Sequence, residues 1–135
     1  MAVGVTWDNE QHTILLYTFT DPWNWDDYDE AVRHAYALLE STPNRVATII
    51  DFSCTQTLPR GAIKHMSIVA QQPHPKQSMM LIVGASPFIQ AISNILASAY
   101  PGHGRVVHHV KTLAQARALA GKRFWMRGFL RHIYG

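Results

Sequence analysis

Arg45–Cys54 reads RVATIIDFSC. Val46, Ala47, Ile49 and Ile50 form an apolar run that is too short for a buried helix and rich in β-branched residues. The run therefore predicts a strand covered on both faces, which belongs in the middle of a sheet with helices on either side. Asp51 ends the run. Its carboxylate is expected where the strand leaves the core, at the edge from which open α/β sheets bind ligands.

The flanking sequence repeats this logic. Downstream, Thr57–Gly61 breaks the chain, and Ala62, Ile63, Met66, Val69 and Ala70 recur at helical spacing. Met79–Val83, MMLIV, predicts a second doubly covered strand adjacent to the first. In Gly84-Ala85-Ser86-Pro87, Ser86 is placed to cap a helix whose first residue is Pro87. Val106–Val110 predicts the last strand, Thr112 caps a fourth helix, and Gly121 marks its expected end. Upstream, Asn24 or Asp26 can cap a helix in which Tyr28, Ala31, Val32, Ala35, Leu38 and Leu39 recur at helical spacing. Before it, Val3–Trp7 and His12–Thr20 flank a polar turn and predict an antiparallel hairpin at the sheet edge. The order β-β-α-β-α-β-α-β-α predicts an α/β fold. It is a single domain over residues 1–120 with a mainly parallel mixed sheet, an N-terminal hairpin and helices on its faces. Residues 121–135 form a basic aromatic tail.

Composition narrows the functional classes. A chain of 135 residues with 47% apolar content is enough for one packed core. No run approaches ~18 apolar residues, so no transmembrane helix is expected, and the N-terminal MAVGVTWDNE has no signal-peptide pattern. Cys54 is the single cysteine. That excludes a disulfide framework and makes the cytoplasm the expected compartment. The net charge is +3. Lys122, Arg123, Arg127 and Arg131 account for +4, leaving eight basic against nine acidic residues in the rest, or −1. A nucleic-acid interface is therefore not expected on the domain.

Candidate site residues gather after the organising strand. Asp51, Ser53, Cys54, Thr55 and Thr57 follow it, and the loops after Val83 and around Trp23 are expected on the same side. Asp51, Ser53, Cys54, Arg60 and Ser86 are the candidate ligand-binding set, with the N–H groups at Gly84–Pro87 able to hold an anion. The same residues also serve as ordinary turn and helix caps. Of the eight histidines, none has metal-ligand spacing, and His108 and His109 point to opposite sides of a strand. No metal or cofactor is expected. Cys54 with a histidine is the only nucleophile pairing on offer, and a lone cysteine beside a core strand reads as a small buried side chain. In the tail, Arg123, Arg127 and Arg131 recur every four residues, as do Trp125, Phe129 and Ile133. Trp125, Phe129, Arg127 and Arg131 are the candidate interaction residues. They are expected to pack on the chain itself or on a second copy, with contact to an acidic membrane as the alternative.

The element order, with IIDFS, LIVGASP and TLAQARALA, resembles the SpoIIAA-like fold shared by STAS domains and their SEC14-like relatives, over about residues 3–120. Regulatory members of that group carry a D-S-S-G-like stretch whose serine is phosphorylated by a partner kinase. Here Thr57-Leu58-Pro59-Arg60-Gly61 stands in its place: Gly61 matches, and Pro59 and Arg60 replace the aspartate and serine. The resemblance implies a binding or regulatory domain acting through protein–protein interaction without that switch. Its other branch implies a binder of a small apolar or lipid ligand. An enzyme with a site near Asp51 and Cys54 is the third reading.

Overall fold

The structure is a computed structural model that describes residues 2–55, 57–100 and 106–122. Its elements are β1 (Val3–Trp7), β2 (Ile14–Phe19), α1 (Trp25–Glu40), β3 (Val46–Asp51), α2 (Ala62–Gln71), β4 (Gln77–Val83), α3 (Pro87–Ala99) and β5 (Val106–Val110). A further helix, α4, spans 113–122. Gly121 thus lies inside α4 rather than past its end, since its backbone has no need of the left-handed conformation that favours a terminal glycine.

The five strands form one sheet in the order β1-β2-β3-β4-β5. β1 runs antiparallel to β2, with Val3 opposite Phe19, and every other pairing is parallel. β3 and β4 are therefore inner neighbours and β1 is an edge, as the apolar runs predict. β2 starts at Ile14, not His12. The Asn9 side chain accepts hydrogen bonds from the Thr13 and Ile14 amides, and His12 adopts φ 57° and stacks on Trp7, which lengthens the turn.

Because each parallel crossover moves one strand further in the same direction, a common right hand places α1, α2 and α3 on one face. One cluster joins Leu15, Tyr17, Phe19 and Ile82 to Tyr28, Ala31, Ala35 and Leu39 of α1 and Ile89 of α3, with Met66 and Val69 of α2 against it. The opposite face packs Leu16, Ile49, Met79 and Leu81 against Ala116 and Ala120 of α4. Complete burial of a side chain such as Ile49 contributes about 1.5–3 kcal/mol.

Local chemistry fixes the ends of the helices. Asn24 caps α1 and exchanges hydrogen bonds with Asp27. Ser86 caps α3 with Pro87 as its first residue, and Thr112 caps α4 by accepting from the Gln115 amide at 3.1 Å. α4 is tied to the hairpin turn by a two-pronged Arg117–Asp8 pair, both contacts at 2.8 Å.

α2 is held differently. Only Ala62 of its side chains is buried, and its N-terminus is Gly61 at φ 80°, with no side-chain cap. Polar contacts to α1 add to the packing of Met66 and Val69 in holding it. His65 meets Asp29 at 2.7 Å and stacks on Trp25, Trp25 Nε1 donates to the Arg60 carbonyl, and Tyr36 Oη donates to the Gln72 carbonyl. Just beyond α2, His74 meets Glu40 at 2.6 Å. The hydrogen bond from His74, then the charges of His74 and Lys76, hold the Glu40 carboxyl below its ordinary value of 4.5. A carboxylate lowered in the folded state adds stability above its unfolded value, and that stability is lost as pH falls through the folded one. The urea midpoint of the wild type is therefore expected to fall more steeply than that of Glu40→Gln below pH 4.5. Parallel acid limbs for the two proteins would show that the pair does not contribute.

Candidate functional site

The carboxyl ends of the parallel strands bring together the loops that the sequence places there. Asp51 Oδ1 accepts from the Ser53 amide at 2.9 Å and from Ser53 Oγ at 2.6 Å, closing a turn. Trp23 Nε1 donates to Thr55 Oγ1, which in turn donates to Asp21. Gly84 sits at φ 64° against Ser53, where a Cβ would come within 3.0 Å of the Ser53 Cβ, so the backbones approach too closely for a side chain. Ser86 follows two residues later and caps α3 through the Ile89 amide. Arg60 is exposed, and its carbonyl accepts the Trp25 indole N–H. Cys54 is exposed rather than buried, because the chain has left the core at Phe52 and turns outward before Thr55 re-enters. Asp51 and Ser53 thus act on each other and Ser86 acts on a helix end. Trp125, Phe129, Arg127 and Arg131 lie outside the described residues, as does the rest of the tail expectation.

A concave feature lies away from these residues. Between the sheet and α1–α3 is a cavity of about 400 Å³. Its floor is the inward face of the strands: Tyr17, Thr48, Ile50, Gln77, Met80 and Ile82. Its roof is Met66, Val69 and Ala70 of α2 with Ile92, Leu96 and Ala97 of α3. Tyr28, Val32 and Tyr36 of α1 form one wall, and Tyr100 and Val107 line the β5 side. None of Asp51, Ser53, Cys54, Arg60 and Ser86 lines it, although Ile50, Phe52 and Leu58 from the same stretch do.

Two local features shape this space. An irregularity in the β3–β4 ladder pairs Val46 with Gln77 but Ala47 with Met79, leaving Ser78 as the extra residue. Gln77 and Met80 then both face the cavity, although three positions apart. The second is α2, which turns Met66, Val69 and the small Ala70 toward the cavity.

The lining contains no Asp, Glu, Lys, Arg or His among the described residues. Its polar atoms belong to phenols, Thr48, Gln77 and Ser93. Gln77 Nε2 donates to Thr48 Oγ1 at 3.2 Å, and Tyr36 Oη donates to the Gln72 carbonyl at 3.1 Å. Burial, and next the neighbouring phenols, push the Tyr17 and Tyr28 hydroxyls well above the ordinary tyrosine range, so both stay protonated. This surface offers apolar contact and neutral hydrogen bonds, and holds no general acid or base suited to neutral pH.

Inward-facing polar atoms were the signal available in the sequence. Tyr17 in a strand, Tyr28 and Tyr36 two turns apart on α1, and Thr48 inside the organising strand all stand at core positions. Among the described residues, no group of three or more His, Cys, Asp or Glu is placed to hold a metal ion, and no helix is long and apolar enough to cross a membrane. No protein-family model, curated protein or solved structure matches the chain.

Proposed function

We propose that this protein is a binding protein for a small apolar molecule, held between the sheet and α1–α3. One observation carries the reading: the cavity of about 400 Å³ falls in the size range of small-molecule sites, and its lining is apolar and uncharged with a few converging polar groups. It is the apolar-ligand branch of the family resemblance, reached here from the geometry of the cavity. A cytoplasmic setting agrees with the single exposed thiol of Cys54.

The test uses N-phenyl-1-naphthylamine, a neutral naphthalene whose fluorescence rises in apolar surroundings. The wild type is expected to bind it saturably. Ala70→Phe, which pushes a ring into the roof, is expected to weaken binding at least about tenfold at unchanged circular dichroism. Absence of saturable binding, or equal affinity in the two proteins, would remove the proposal.

A second reading, the interaction domain, is favoured by exposed apolar side chains on α2 and α3. Ile68, Phe88 and Ile95 are each about half exposed, and α3 carries no charged residue. Light scattering on the same samples reads it: a mass above one chain supports self-association, and the mass of a single chain removes it.

A further inference from the structure

We propose that the cavity takes a neutral amphipathic molecule, an apolar body ending in one hydroxyl or carbonyl group, whose polar end is hydrogen-bonded by Tyr17 and Tyr28. The inference rests on the reading of the cavity as a binding site and names the ligand class that site selects.

Two buried hydroxyls of the lining make no hydrogen bond among the described residues. Tyr17 is 6% exposed and Tyr28 7% exposed, and both line the cavity. Neither hydroxyl has a hydrogen-bond partner among the described residues. The other polar side chains of the lining have partners: Tyr36 donates to the Gln72 carbonyl, Gln77 donates to Thr48, Ser93 Oγ lies 3.4 Å from His109 Nε2, and Tyr100 accepts from Gln71. Buried hydroxyls nearly always find a partner, and each one left without costs free energy. Tyr17 on β2 and Tyr28 on α1 line the same cavity and belong to one packed cluster. They thus bring two unanswered donors to the wall of one largely apolar space.

Charge decides what that region accepts. No cationic side chain lines the cavity among the described residues, so a carboxylate or phosphate would enter a low-dielectric space without a counter-charge. Two phenols that keep their protons answer a neutral oxygen at hydrogen-bond strength and leave an anion largely uncompensated. Size adds a second limit. At ~30 Å³ per water, 400 Å³ is the volume of about thirteen waters, which suits a ring system or one short chain.

The experiment displaces bound N-phenyl-1-naphthylamine with decan-1-ol or with decanoate, buffered above the ordinary carboxylate range, so that the two competitors share a chain and differ in the charge of the head. Wild type, Tyr17→Phe, Tyr28→Phe and the double variant are compared. Decan-1-ol is expected to displace the probe at a concentration about tenfold or more below that of decanoate. The double variant is expected to hold decan-1-ol about tenfold more weakly, with probe affinity and denaturation midpoint no lower than wild type. The single variants give the same reading if the double variant does not fold. Three results overturn the proposal while leaving the cavity a binding site: decanoate as potent as decan-1-ol, phenylalanine variants that hold decan-1-ol like the wild type, or variants that lose probe and alcohol together. A wild type that does not bind the probe overturns the site and this ligand class with it.

Discussion

Ile49→Ala is expected to lower the unfolding free energy by about 3–5 kcal/mol, and Ile50→Ala by less than half as much. The two residues are neighbours on β3 and identical in chemistry, but they face opposite layers. Ile49 is fully buried against Leu81, Met79 and the small side chains of α4. Removing its branch there opens a new void among tightly packed neighbours. Ile50 borders the cavity, so part of its surface already lacks partner atoms and fewer dispersion contacts are lost. Urea denaturation of the two variants measures the difference. Equal losses would mean that both faces of the sheet are equally filled.

The second large effect is expected at the polar pair on the cavity floor. Thr48 is completely buried and Gln77 nearly so, and Gln77 Nε2 donates a hydrogen bond to Thr48 Oγ1. Thr48→Val keeps the shape and removes the acceptor, leaving the Gln77 amide without this partner. The expected cost is about 1–3 kcal/mol. Gln77→Leu strands the Thr48 hydroxyl in the same way. The double variant removes both polar groups and is expected to recover much of the loss, since replacing both partners by apolar groups is close to neutral. Losses that simply add in the double variant would show that the bond does not couple the two side chains.

The fold was legible because its signals are local. A strand covered on both faces is mostly apolar at consecutive positions, as Ile49–Ile50 of β3 and Met79–Val83 of β4 are. Ser86-Pro87 and Thr112 announce helix starts by hydrogen bonds within one turn. The cavity was not legible, for a physical reason. Helical spacing at Met66, Val69 and Ala70 tells which side of α2 turns inward, and a side chain that lines a void has the same spacing as one in van der Waals contact. The left-handed Gly61 at the start of α2 and its polar contacts with α1 are not encoded in that spacing either. The site reading followed Asp51 to the strand ends, where the structure gives its carboxylate to Ser53. Cys54 is exposed because it lies in the outward turn between the buried Phe52 and Thr55.

The sequential strand order has a consequence for how the chain is made. In a sheet ordered β1-β2-β3-β4-β5, each new strand is added beside the one synthesised before it. No strand has to be threaded between two that are already paired. As the polypeptide leaves the ribosome, the edge of the growing sheet is always the most recently completed strand, and the helix that follows can fold down before the next strand arrives. Assembly can then proceed in the direction of synthesis, one β-α turn at a time. The open strand waiting at each stage is the natural template for the next one in the same chain, which shortens the time that edge is offered to other molecules.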